Sequence, residues 1–396
     1  MREGWKYCKL GDCVEVINGL WTGKKEPFVN VAVIRNTNFS KDCKLNLHDV
    51  AYIDVEIKQF SSRKLKCGDI IIEKSGGSEK QPVGRPVLFN IAEGDYSFSN
   101  FTATLRIKDK VEIVSEFLQL CLYSHYLKGE TLKMQSKTTG LHNLDMKAFL
   151  RLQIPNIPVL EQQRIVTELD LLSSIIEKQK AQLKELDTLA QSIFYDMFGD
   201  SVTNEKGWEI KSIMNIGYVE RGKGISKKDF VENGVPCIHY GQLHTTFSAF
   251  TTKHVSCIPE NLLKKPSIAH KGDLVMAITS EDVECSCKST AWMGDYDIIV
   301  GSDAAILHHN QNGIYLSYCT KTESFFNEKS KYAKGFKVTH ISTAEIEQIP
   351  ILIPPLPLQQ QFADKIQSIE SQKSAITKSI AETQKLFDYT MDKYFG

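Results

Sequence analysis

Two long stretches of the chain carry apolar residues at heptad spacing. After Pro158 they fall at Ile165, Leu169, Leu172, Ile176, Leu183, Leu186, Ala190, Ile193 and Met197, broken only at Gln179. After Pro357 they fall at Phe362, Ile366, Ile369, Ile376, Ile380 and Phe387, with Lys373 and Thr383 interrupting. Alternating steps of three and four predict narrow apolar seams on two helices of about 35–38 residues, the first stopped by Gly199. A narrow seam needs a partner, and two such helices in one chain are each other's natural partner. Between these stretches the pattern changes. Short apolar runs at 29–34 and 70–72 and the alternation at 102–107 are punctuated by Gly, Asn and Asp. They predict β-rich globules with few helices, one at 113–128 and a counterpart near 314–329.

The pattern occurs twice. Gly4-Trp5 returns as Gly207-Trp208, and Val33-Ile34-Arg35 as Cys237-Ile238-His239. Cys67-Gly68-Asp69-Ile70-Ile71 returns as Lys271-Gly272-Asp273-Leu274-Val275, and Gly94-Asp95-Tyr96 as Gly294-Asp295-Tyr296. Ile154-Pro155 with Gln162-Gln163 returns as Ile349-Pro350 with Gln360-Gln361. A period of half the chain means a tandem pair of whole domains, not a solenoid. The expected organisation is a globular domain at 1–153, a spacer helix region at 154–200, a second globular domain at 201–348 and a second helix region at 349–396. The fold class is α+β: two pseudo-symmetric β-rich domains separated by two long coiled-coil helices. A pseudo-twofold perpendicular to those helices makes them antiparallel.

The 396 residues are 42% hydrophobic and 24% charged, which excludes global disorder. No apolar run is long enough to span a bilayer, and residues 1–5 lack the apolar core of a signal peptide. Ten cysteines without a paired framework point to reduced thiols, no zinc site and a cytoplasmic chain. The charges cancel at 48 basic against 48 acidic, but residues 1–150 carry 22 against 18 and residues 161–199 carry 4 against 7. Any basic face is therefore local or completed by a partner.

The segments Ile157-Pro158-Val159-Leu160-Glu161-Gln162-Gln163-Arg164-Ile165-Val166 and Ile353-Pro354-Pro355-Leu356-Pro357-Leu358-Gln359-Gln360-Gln361 each follow a globular domain and open a long helix. With the duplicated Gly-Trp and Gly-Asp landmarks, this order resembles the specificity subunit of Type I restriction-modification systems, over essentially the whole chain. The resemblance implies two target recognition domains, each reading one half of a split duplex DNA sequence. It implies helices that act as a ruler and dock two methyltransferase subunits, and a core that restriction-translocase subunits join. It also implies that this chain has no active site and holds no cofactor, S-adenosylmethionine, ATP and Mg belonging to the partners. Glu161, Gln162, Gln163, Gln360 and Gln361 are the expected docking residues. The second segment lacks a counterpart of Glu161.

A reader of DNA needs cations for phosphates, and amides, hydroxyls or guanidinium groups for base edges. Two places in each half offer this chemistry. The first is Arg35-Asn36-Thr37-Asn38, after an apolar run, with its counterpart His239-Tyr240-Gly241-Gln242-Leu243-His244. The second follows Gly-Asp: Lys74, Ser75, Ser78, Lys80 and then Arg85 in the first half, Thr279 and Ser280 in the second. Lys137 and Thr138, Lys334 and Lys337, and the basic cluster Arg221, Lys223, Lys227 and Lys228 complete the candidates.

Enzyme readings find little support. The chain has no Asn-Pro-Pro-Tyr/Phe methyltransferase loop, no phosphate-binding P-loop and no Gly-x-Ser-x-Gly elbow. Asp42 with Glu56-Ile57-Lys58 is the weak pattern of a metal-dependent nuclease. His308-His309 lacks ligand spacing and reads as strand or loop. A coiled-coil scaffold whose β-rich domains bind protein or glycan is the other alternative.

Overall fold

The computed structural model describes residues 4–21, 25–78, 81–138, 141–262, 265–332 and 339–396. The chain forms two compact units, 1–179 with 379–396 and 180–378, so each takes a segment of both long helices.

In the first unit the strand Asp69–Glu73 lies inside a four-stranded antiparallel sheet, between Thr102–Ile107 and Pro86–Phe89, with Val14–Asn18 at the edge. Its side chains alternate between two cores, as strand geometry requires. Ile70 and Ile72 join Leu118 and Leu122 of the helix Ser115–Leu127. Ile71 points the other way, to Ile34, Phe89 and Phe98. A three-stranded sheet, Ala51–Glu56 beside Phe28–Ile34 beside Tyr96–Phe98, covers that face.

The second unit repeats the plan. Leu274 and Met276 of Leu274–Ala277 enter one core, and Val275 and Ala277 another with Ile238, Trp292 and Val300. One departure concerns the helix expected near 314–329. It is two helices, Gly313–Cys319 and Glu323–Ser330, because Thr322 caps the second, its hydroxyl accepting from the Phe325 N–H at 3.3 Å.

The repeated landmarks are structural. Gly68 and Gly272 adopt positive φ (92° and 99°), and the aspartates after them close the turns, Asp69 accepting from the Lys66 N–H and Asp273 from the His270 N–H. Asp69 then holds Arg106 through two hydrogen bonds of 2.8 and 2.7 Å. In the second unit His308 replaces that arginine, 2.8 Å from Asp273. The second Gly-Trp closes the end of the central helix, the Trp208 indole donating to the Phe198 carbonyl at 2.8 Å.

His308 and His309 lie on the strand Ala304–His309. Burial pushes the His309 imidazole down to about 4. The folded state therefore holds it neutral while the unfolded chain protonates it below about 6.5. Its contribution is intact above that value and is lost as pH falls toward 4. The free energy of unfolding from denaturant titration is expected to fall by about 2 kcal/mol between pH 7 and pH 5, and His309→Gln to remove that contribution.

The long helices run Val159–Phe198 and Leu356–Phe395, each 40 residues. They pair antiparallel within each unit. In the first, Ile165 and Leu169 cluster with Met391 and Tyr394, and Gln179 donates to Ser379 at 2.8 Å. In the second, Phe194 packs on Phe362 with ring centroids 5.4 Å apart, and Lys373 bonds Asp187 at 2.7 Å. The polar breaks at Gln179 and Lys373 are thus cross-helix contacts. All ten cysteines are free.

Candidate nucleic-acid interface

Each unit builds a polar turn where a core strand ends. In the first, Asn38 is buried and every polar group of its side chain is used. Its oxygen accepts from the Arg35 N–H at 2.9 Å, and its nitrogen donates to the Asn46 and Asp49 carbonyls at 3.2 and 2.9 Å. Gln242 does the same work, accepting from the His239 N–H at 2.9 Å and donating to Ser256 at 2.5 Å. Both were expected to read bases; Asn38 instead holds its turn, since a buried amide with its hydrogen bonds satisfied inside the fold has none to offer, while Gln242 is half-buried and braces its turn with one accepted and one donated bond. Arg35 is half-exposed beside Asp49, and Asn36 donates to Glu73 at 3.4 Å. His239 packs edge-on to Phe230, and burial pulls its imidazole below the usual range. Tyr240 and His244 are half-buried on the helix Tyr240–Thr245, with His244 Nε2 3.3 Å from the Thr279 carbonyl.

Arg85 is a second correction. It is buried, and its guanidinium bonds Glu73 at 2.7 Å and donates to the Phe39 and Asn36 carbonyls at 2.9 and 3.2 Å. It cannot reach a phosphate from there; it fastens the turn bearing Asn36 to the core sheet.

The segments after Gly-Asp behave as a surface. Ser75–Gly77 is the third strand of a small sheet with the hairpin Gln135–Thr138 and Leu141–Leu144. Two stretches far apart in sequence, at Lys74-Ser75 and Lys137-Thr138, are thereby brought together. Lys74 donates to Asn18 at 3.0 Å, Ser75 to Asn143 at 2.5 Å, and Ser78 is exposed. The second unit pairs Thr279–Ser280 with Thr339–His340 in the same place. Thr279 is half-buried and Ser280 buried there. Lys80, Lys334 and Lys337 lie outside the described residues. Arg221, Lys223, Lys227 and Lys228 are exposed, Lys223 lying 3.4 Å from Glu220.

Residues 2–187 and 205–385 each match the family described as the Type I restriction modification DNA specificity domain. The chain belongs to that family. The MjaVIII specificity subunit of a Type I restriction enzyme from Methanocaldococcus jannaschii is 26% identical over 93% of this chain and 87% of its own length. The EcoKI specificity subunit of Escherichia coli is 24% identical over 51% of this chain and 43% of its own. Among solved structures, the S subunit of a Type I system from M. genitalium shares the fold at a TM-score of 0.57 and 12% identity, covering 100% of this chain and 98% of that one. A chain from a study of assembly and conformational transition of the type I R-M system gives a TM-score of 0.57 at 16% identity, with the same coverage.

In this specificity chain the docking candidates divide. Gln162 is fully buried, accepting from the Val114 N–H at 2.8 Å and donating to the Glu112 and Ile157 carbonyls at 2.9 Å each. It clamps the helix start to its domain and is not available for docking. Its structural equivalent is Gln359, also fully buried, which accepts from the Asn312 N–H at 3.0 Å and donates to the Pro354 carbonyl at 2.8 Å. The repeat register at the helix starts is therefore Gln162 with Gln359, one residue off the pairing read from the sequence. Gln163, Gln360 and Gln361 are exposed, and Glu161 pairs with Arg164 at 2.6 Å.

Asn143, Asp303 and His340 stand at the converged surfaces, and no motif marked them. The one available signal was the hydroxyl six residues past the Gly-Asp aspartate in both halves, Ser75 and Thr279. The nuclease pattern has no support in the geometry. Glu56 accepts from the Lys25 N–H and from Gln59, and no group of three or more His, Cys, Asp or Glu among the described residues could hold a metal ion. No described helix is long and apolar enough to cross a membrane.

Proposed function

We propose that this chain is the sequence-reading subunit of a Type I restriction-modification complex and binds a split duplex target through its two domains. The observation that carries this reading is the duplicated surface. Both units bring the strand after Gly-Asp against the strand preceding the Pro boundary, with one frame and different side chains. Two readers of different half-sites need that combination. In this reading the chain is non-catalytic and cytoplasmic, and S-adenosylmethionine, ATP and Mg serve its partners. Two methyltransferase subunits dock on the long helices near Glu161, Gln163, Gln360 and Gln361, and restriction-translocase subunits join them. The helices, each 40 residues, set the gap between half-sites.

Salt titration of duplex binding tests the reading, since phosphate contacts release counterions. Lys227→Ala and Lys228→Ala are each expected to weaken binding equally for all sequences and to reduce the log–log salt slope by about one. Salt-independent retention, or none, would favour the scaffold alternative. Removing one heptad from each helix is expected to shorten the preferred gap between half-sites, and an unchanged gap would remove the ruler role.

A further inference from the structure

Two of the free cysteines are held against one another. The Sγ atoms of Cys8 and Cys13 lie 3.1 Å apart in the first unit. We propose that Cys8 and Cys13 are an oxidisable dithiol, a modification site at which a small peroxide converts two thiols into an intramolecular disulfide. The site lies outside the DNA-reading surfaces and stands independently of the function given above. Where thiols are kept reduced, the disulfides that do form are transient and often redox-sensing.

The backbone sets this approach. Cys8 lies on the strand Lys6–Lys9, paired with Gln153–Asn156, and Cys13 ends the single helical turn Leu10–Cys13. That turn is fastened to the chain ahead of the first long helix. The Leu10 N–H donates to the Leu152 carbonyl and the Gly11 N–H to the Leu150 carbonyl, each at 2.9 Å. A disulfide needs its sulfurs about 2.05 Å apart, so closure asks for a movement of roughly one ångström. Two sulfurs held this close make the bond-forming step intramolecular, with the rate advantage of a prepositioned pair.

The second half builds the same turn without thiols. There the Ile213 N–H donates to the Ile349 carbonyl at 3.1 Å, the counterpart of the Leu10 bond. This register sets Lys211 where the first half has Cys8, and Ile216 where it has Cys13. The turn therefore does not require a pair of sulfurs; only the first half places them there.

The two thiols are unequal. Cys8 is half-buried and Cys13 is buried. Burial pushes the Cys13 thiol up to about 12, and the neighbouring Cys8 sulfur adds to the rise. Cys13 therefore stays protonated, and Cys8 is the sulfur that meets the oxidant. Lys108 brings a positive charge to the same turn, its ammonium donating to the Gly11 and Asp12 carbonyls at 2.9 and 3.1 Å. The Cys8 thiolate attacks one peroxide oxygen and the O–O bond breaks. This leaves a sulfenic acid, and the departing hydroxide takes up the proton that Cys8 gave up. The Cys13 sulfur then attacks the Cys8 sulfur, the S–O bond breaks, and hydroxide leaves with the Cys13 proton as water. Two thiols and one hydrogen peroxide become one disulfide and two waters. Each sulfur loses one electron and the peroxide gains two.

Peptide mapping of the full chain tests this. The reduced protein is treated with hydrogen peroxide, its remaining thiols are capped with N-ethylmaleimide in denaturant, and it is digested with trypsin without reduction. Cleavage after Lys9 puts the two cysteines in different peptides, residues 7–9 and 10–24. The expected product is these two peptides joined, two hydrogens lighter than their sum, and separated again by dithiothreitol. Cys67 is exposed and is the competing thiol, so Cys67→Ser is expected to leave the joined product unchanged. In Cys13→Ser the joined product is expected to vanish and dimedone to label Cys8 as a sulfenic acid. Recovery of both peptides with capped thiols, under peroxide that oxidises Cys67, would overturn the proposal. So would a bond from either peptide to another cysteine. Because the wild type and Cys67→Ser carry the decisive reading, a folding defect in Cys13→Ser leaves the test intact.

Discussion

Replacing Arg85 with methionine is expected to destabilise the first unit by about 3–5 kcal/mol. The side chains of Arg85 and Glu73 are only 5% and 2% exposed, and their 2.7 Å contact is the charge balance for both. Removing the guanidinium leaves a buried carboxylate without its counter-charge and frees the Phe39 and Asn36 carbonyls. The double change Arg85→Met with Glu73→Met is expected to recover most of the loss, because no charge is then stranded. The second half carries no buried pair here: fully buried Ala277 stands four residues after its aspartate where the first half has Glu73, and an exposed lysine, Lys288, faces it where the first half has Arg85. Denaturant midpoints of the two single variants and the double variant complete the cycle. If Arg85 were a phosphate contact, Arg85→Met would weaken DNA binding at unchanged stability.

The second large effect lies at the helix starts. Gln162→Leu keeps the side-chain volume but strands the Val114 N–H and the Glu112 and Ile157 carbonyls. A stranded buried polar group costs about 1–3 kcal/mol, so the three together are expected to cost about 3–5 kcal/mol. Gln359→Leu is expected to cost a similar amount in the second unit through Asn312 and Pro354. Gln163→Leu, one residue along and exposed, is expected to stay within about 0.5 kcal/mol of the parent. Chemical unfolding of the three variants separates clamp from surface. If Gln162 and Gln163 proved equally tolerant, the clamp would be wrong. The same set read by methyltransferase pull-down separates stability from docking, since only the exposed glutamine is placed to touch a partner.

The architecture was legible because its signals are structural. A heptad stripe states its own burial, and Ile165, Leu169, Ile366 and Ile369 are buried as the spacing requires. The stripe missed Phe194 and Phe198, which fall beside the seam and carry the aromatic core of the second unit. The Gly-Asp landmark recurs because it closes the same turn in both halves, and the second Gly-Trp closes a helix end.

The interface was less legible, for a chemical reason. The residue types that read bases are the ones that cap turns and fill buried ion pairs. Nothing in the sequence separates Asn38, which caps a turn, from Asn143, which reaches the surface; burial does. The convergence of Lys74-Ser75 with the 135–144 hairpin was equally hidden, because Ser75 and Asn143 pair across 68 residues, which leaves no periodic trace. The glutamine register slipped by one because Gln162-Gln163 and Gln359-Gln360-Gln361 offer two alignments, and only the shared clamp chooses between them.

The central claim is that the two domains read two separate half-sites. Binding-site selection with the wild-type complex, from a pool randomised over several helical turns, tests it most directly. The account predicts two specified blocks separated by an unspecified gap of fixed length. A single contiguous block, or enrichment without sequence preference, would contradict it.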